Sequence, residues 1–246
     1  MGTRLYTFAI SHYAEKARWA LDHKHLHYRE TRLLPGLHAL TTKRLAPRSS
    51  VPLLVDGQTT VQGSAPILDH VDTHYPEHPL LPDDPEQAEA CRALEVRIDG
   101  ELARALRRLF YLHALPDRRF ALSLLVGGAP VWIRAPYYLA YGWLAGAIRS
   151  SYRVRPDREA DDIAAVTAFF DALGSGPYLI GDRFSRADLA LAAICAPLFR
   201  PPEHPIAFSE LDAYPDGLRA LMDRFASHPV AARVRALYRD HRRASA

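Results

Sequence analysis

Lysine, cysteine and methionine are scarce in this chain of 246 residues, and no apolar run is long. The only lysines are Lys16, Lys24 and Lys43, so arginine carries nearly all the positive charge. That bias fits GC-rich coding as well as it fits selection for bidentate contacts. Net charge is +3, with acidic and basic residues alternating along most of the chain, which argues against a dedicated nucleic-acid binder. The densest basic stretch, Arg233 to Arg243, closes a helical pattern, where cations complement the helix dipole. Cys91 and Cys195 stand singly, without the paired spacing of a disulfide framework or a zinc site, and suit a reducing cytoplasm. Met1-Gly2-Thr3-Arg4 runs directly into a strand pattern rather than into a signal segment, so export is not expected. The most apolar region, Leu122 to Ile148, has Arg134 and Arg149 bounding a run of 14 residues. A helix needs roughly 20 to cross a bilayer, so membrane association is disfavoured.

Hydrophobic residues make up 48% and charged residues 24%, ordinary values for a globular protein. Arg4 to Ile10 is rich in β-branched and aromatic residues and reads as a strand, followed by a helix from about Tyr13 to Lys24. His27 to Thr31 fits a second strand, Leu37 to Leu45 a helix, and Val51 to Val55 a third strand. The Asp56-Gly57 turn leads into Thr59 to Gln62 as a hairpin, and Ala65 to about Tyr75 forms a helix. This succession predicts a mixed four-stranded sheet covered by helices, close to the thioredoxin pattern, over residues 1–78. The proline-rich stretch 79–85 reads as a linker.

Residues 86–246 show helical periodicity only, over Glu86 to Tyr111, Ala160 to Leu173, Ser185 to Leu198, Asp216 to Ala226 and Val230 to Arg242. Ser185-Arg186-Ala187-Asp188 has capping-box spacing, with Phe184 and Leu189 at staple positions. Leu122 to Ile148, with Gly127-Gly128-Ala129-Pro130 and several aromatics, reads as a buried helix pair or an apolar pocket wall.

Three places carry candidate chemistry. Ser11 lies where the first strand hands over to the first helix, so its hydroxyl can cap backbone amides or face a ligand at the positive helix end. Val51-Pro52 opens a strand with a residue lacking a donor, which an edge, a turn or a cis bond must accommodate. Ser64 is expected to be the N-cap of the third helix, with Pro66 in its first turn.

These segments resemble the cytosolic glutathione transferases. Ser11-His12-Tyr13-Ala14-Glu15-Lys16-Ala17-Arg18 resembles the start of the first helix in omega- and zeta-type members, with Ser11 at the position of their catalytic Cys or Ser. Ser50-Val51-Pro52-Leu53-Leu54 resembles the family's cis-proline segment, and Gly63-Ser64-Ala65-Pro66-Ile67 its glutamate-binding turn. Gly181 to Asp188 resembles the signature of the helical half. The resemblance implies a thioredoxin-like domain followed by an all-helical domain. It also implies glutathione as co-substrate with no further cofactor, an apolar electrophile in an interdomain cleft, and a homodimer in the cytoplasm. Ser11 is then implied to donate a hydrogen bond to the glutathione sulfur. Val51 next to Pro52 would pair with the cysteinyl backbone, and Ser64 would hold the γ-glutamyl carboxylate. Gly63 departs from the family's usual Glu or Gln, a contact that neighbouring Gln62 would have to supply. With Ser at 11 and Ala at 14, no cysteine is available for glutaredoxin-like redox chemistry.

Two alternatives remain beside conjugation: a transferase-like ligand-binding or interaction protein without turnover, and peripheral membrane attachment through Leu122 to Ile148. Tyr6 and Tyr13 are further hydroxyl donors, although Tyr6 falls inside a strand. His70 and His74, and His23, His25 and His27, lack the third and fourth ligands of a metal site, so no metal is expected.

Overall fold

The computed structural model describes residues 2–242; the last residue of the basic stretch, Arg243, falls outside them. A small sheet domain comes first. Strands β1 (Thr3–Thr7), β2 (Tyr28–Arg32), β3 (Leu53–Asp56) and β4 (Thr59–Gln62) form one sheet in the order β2-β1-β3-β4. β1 pairs with β2 in parallel and with β3 antiparallel, and β3–β4 is the expected hairpin, turning on Gly57 at φ +60°. Helices α1 (His12–His23), α2 (His38–Leu45) and α3 (Ser64–His74) complete this domain. The helical domain contains α4 (Pro85–Arg97), α5 (Ala103–Ala114), α6 (Arg118–Val126), α7 (Val131–Leu139) and α8 (Tyr141–Tyr152). It continues with α9 (Glu159–Asp171), α10 (Arg186–Phe199), α11 (Asp216–Ala226) and α12 (Pro229–His241).

α1 is the hinge of the architecture, packed against α3 on one side and α10 on the other. Its Ala14, Ala17, Ala20, Trp19 and Leu21 are fully buried, and so are Glu15 and Lys16. Burying charge costs several kcal/mol per ion, on the order of the whole folding free energy, unless each ion is paired. Here each one is. Lys16 Nζ lies 2.5 Å from Glu95 and 2.5 Å from Asp99, and Arg186 lies 2.5 Å from Glu95 and 2.5 Å from Asp69. This chain of ions crosses between the two domains. At the other end of α1, Arg242 pairs with Glu15 at 2.7 Å and Asp22 at 2.8 Å. The α10 cap forms as the sequence spacing implied. Ser185 N–H and O–H both donate to Asp188 Oδ2, at 3.0 and 2.7 Å, and Leu179 N–H donates to Oδ1 at 2.8 Å.

Four expectations need correction. β1 ends at Thr7 rather than Ile10, because the Phe8 and Ala9 carbonyls accept from Arg18 Nη2, at 3.2 and 3.1 Å, instead of from a neighbouring strand. The helix expected over Glu86 to Tyr111 is interrupted by a π-helical turn, Ile98–Leu102, centred on Gly100. Ser64 is the first helical residue of α3, not its cap; Gly63 precedes the helix at φ +107°. Leu122 to Ile148 belongs to three helices rather than a buried pair, and α7 has no buried residue.

Candidate active site

Ser11 stands at the amino end of α1 in an extended conformation, φ −73° and ψ 122°, and its Oγ accepts the Ala14 N–H at 3.3 Å. The bland role foreseen for it, a helix cap, is therefore real. A hydroxyl has two acceptor sites and one donor, so the cap leaves the O–H free to point at a ligand. Ser11 is partly exposed and lines a cavity of about 1120 Å³ between the sheet domain and the helical domain.

One wall of the cavity is made by the loop Phe8 to Ile10, the segment Arg32 to Gly36, and Ser50 and Val51. The opposite wall comes from Phe110 on α5, Ile133 on α7, Leu144 and Ile148 on α8, and Phe208, Leu221 and Met222. The lower wall thus offers backbone and hydroxyl groups, and the upper wall is predominantly apolar. Such a division suits a ligand with a polar half and a greasy half.

The Val51–Pro52 bond is cis. Val51 borders the cavity, and its N–H and C=O make no backbone hydrogen bond among the described residues. Pro52, Gly63 and Ser64 lie behind this edge rather than on the cavity wall, and Ser64 is buried. Gly63 N–H donates to Pro52 O at 2.9 Å, joining the α3 turn to the cis-proline segment. At φ +107° glycine is at ease where a side chain would be strained, so the missing Glu or Gln has a local backbone benefit. Gln62 does not replace it. Its amide donates to Arg48 O at 2.7 Å and Ser50 O at 2.8 Å and accepts from Arg48 N–H at 3.3 Å, which fixes the loop leading to Val51.

Tyr13 is excluded as a hydroxyl donor at this site, since its O–H is spent on Asp99 O at 2.9 Å. Tyr6 is half-buried within β1 and does not reach the cavity. His70 and His74 stack on each other at 4.2 Å, and His70 is 3.0 Å from Asp56, which also accepts from Tyr75 and Thr3. These histidines staple α3 to the sheet. Among the described residues no group of three His, Cys, Asp or Glu side chains is placed to hold a metal ion.

Two residues at the cavity escaped the sequence reading. His12, next to Ser11, lines the cavity, and its buried Nε2 finds no partner in the protein. Burial, then the positive charge of Arg107 and of Lys16, lowers its pKa to about 3, so it is neutral at ordinary pH. Arg107 on α5 lies over the Tyr152 ring at 4.3 Å, with its Nε buried and unpartnered in the protein. Adjacency to Ser11 was the available signal for His12; nothing in the local sequence marks Arg107. Together with the amino end of α1, Arg107 makes this end of the cavity favourable to a developing anion. A second open cleft, about 1320 Å³ and lined by eight arginines against Glu101 alone, lies on the helical domain and does not include Ser11.

The family model for the glutathione S-transferase N-terminal domain matches residues 5–79, and that for the C-terminal domain matches residues 160–233. The chain belongs to the glutathione S-transferase family. Glutathione S-transferase Z2 of Arabidopsis thaliana is 38% identical over 84 residues, which is 33% of this chain and 38% of that protein. The matched part is therefore well under half of the curated relative's length. Among solved structures, a glutathione S-transferase of Methylobacterium radiotolerans in complex with glutathione sulfonate is 22% identical, with a TM-score of 0.57 over 94% of this chain and 93% of that one. The beta-etherase LigF of Sphingobium is 19% identical, with a TM-score of 0.59 over 95% and 98%. At these identities the two structures establish the shared fold, a small mixed-sheet domain followed by a helical one.

Proposed function

We propose that this glutathione S-transferase family member binds glutathione along the Ser11–Val51 edge and conjugates it to an apolar electrophile held under α5, α7 and α8. The observation that carries the reading is Ser11, with a free O–H at a helix amino end, opening into a cavity with one polar and one apolar wall. Glutathione loses its thiol proton to solvent. The thiolate accepts the Ser11 O–H, then forms a C–S bond as the leaving group departs with its electron pair. Ser11 itself forms no covalent bond. Lowering a thiol pKa by about two units requires ~2.7 kcal/mol. A charge-assisted hydrogen bond of about 1.5 to 3 kcal/mol plus a helix terminus of about 0.3 to 1 kcal/mol is sufficient. The unpaired Val51 backbone takes the cysteinyl residue as an added strand, and the first-turn amides of α3, with Ser64 and next to Gly63, take the γ-glutamyl carboxylate.

The experiment is retention on immobilised glutathione combined with conjugation of a chloronitrobenzene, for the parent and for Ser11→Ala. Retention in both with turnover strongly slowed in Ser11→Ala supports the proposal. Retention by the parent without any turnover supports the alternative of a glutathione-binding protein, which the missing side chain at Gly63 favours. Absence of retention defeats both.

A further inference from the structure

α7 is apolar on both faces. Its inner face turns Ile133 to the cavity and Tyr137 to the sheet domain, where the Tyr137 O–H donates to Pro35 O. Its outer face carries Val131, Trp132, Ala135, Tyr138 and Leu139, at helical positions i, i+1, i+4, i+7 and i+8. On this face Trp132 is 75% and Leu139 84% exposed, and Trp143 at the start of α8 is 77% exposed. A helix apolar all round is ordinarily covered.

The charge around it indicates the cover. Between Asp117 and Asp157 the chain has no Asp or Glu and six arginines: Arg118, Arg119, Arg134, Arg149, Arg153 and Arg155. Arg155 alone of these pairs with a flanking carboxylate, Asp157 at 2.6 Å. Arg118 lies over the Tyr138 ring and donates to Tyr138 O, so a cation is fixed beside the exposed aromatic stripe. A second copy docked on this face about a two-fold axis would set the same positive segment against itself, which costs energy. A lipid surface with anionic headgroups meets both requirements, apolar burial for the stripe and counter-charge for the arginines.

We propose that α7 and the start of α8 form a peripheral docking face for anionic membrane surfaces, with Trp132 and Leu139 entering the headgroup boundary and the flanking arginines contacting lipid phosphates. No described helix is long and apolar enough to cross a membrane, and this docking requires none. It reverses the expectation drawn from the sequence, which assigned the segment's apolar residues to the interior.

The test is flotation of the full chain with vesicles of phosphatidylcholine alone and of phosphatidylcholine mixed with phosphatidylglycerol, at low and high salt. The expected result is binding to the mixed vesicles, released by salt, with a blue shift of tryptophan emission. Arg119→Gln combined with Arg134→Gln should weaken partitioning about thirtyfold, and Trp132→Ser combined with Leu139→Ser by at least about tenfold. All four side chains are exposed, so the variants should retain the parent's circular dichroism and melting. The proposal is overturned by equal binding to neutral vesicles, by no binding, or by a sedimentation-detected dimer that Leu139→Ser dissociates.

Discussion

Glu95 is shared by two buried cations on different elements, Lys16 of α1 and Arg186 of α10, each at 2.5 Å. Replacing it by Gln leaves the shape and removes the charge. Breaking a buried pair typically costs about 3–5 kcal/mol, because the surviving ion remains desolvated. Here Lys16 keeps Asp99 and Arg186 keeps Asp69, both at 2.5 Å, so the lower end of the range, about 3 kcal/mol, is expected. For a chain of this size that corresponds to a fall in Tm of roughly 6–12 °C. Scanning calorimetry at neutral pH measures it. Converting Lys16, Glu95 and Arg186 together to Met, Leu and Met should restore most of the loss, since apolar replacement removes the desolvation along with the attraction. A fall of less than about 2 °C for Glu95→Gln would refute the argument that this network carries the domain contact.

Three more outcomes follow from the geometry. His12 has its pKa lowered to about 3 by burial, Arg107 and Lys16, so below its unfolded value near 6.5 the unfolded chain takes up a proton that the native site refuses. Stability is then complete above that value and falls with acidification, by about 2 kcal/mol between pH 7 and pH 5 from this residue. Urea titrations at the two pH values should show the loss reduced in His12→Gln. Gln62→Ala frees the 48–50 loop of three hydrogen bonds and should raise the KM for glutathione several-fold, with kcat for bound substrate nearly unchanged. In Asp188→Ala the Leu179 and Ser185 amides lose their acceptor, and chemical denaturation should show a loss of about 2–4 kcal/mol.

Local rules sufficed where an element is decided by its own residues. The hairpin at Asp56-Gly57, the Ser185–Asp188 cap and the long apolar helix α10 are of this kind. The boundaries that moved depend on distant partners. β1 stops early because a guanidinium from α1 takes the Phe8 and Ala9 carbonyls, and the π turn at Gly100 places Asp99 O against Tyr13, 86 residues away. At the candidate site, Ser11 and the cis Val51–Pro52 edge were legible from the strand-to-helix junction and the family resemblance. Gln62 was misassigned because an exposed amide beside the expected binding turn gives no local sign of being spent on carbonyls of the 48–50 loop. Arg107 and the exposed face of α7 were invisible for the same reason: composition reports that a segment is apolar, whereas only packing decides which side is covered.

The account stands most directly on the ionisation of glutathione in the complex, followed by the ultraviolet absorbance of the thiolate as pH is varied. With Ser11 intact the bound thiol should titrate about two units below the free one, and in Ser11→Ala about one unit or more of that depression should disappear. An identical titration in the two proteins, with glutathione bound in both, would contradict it.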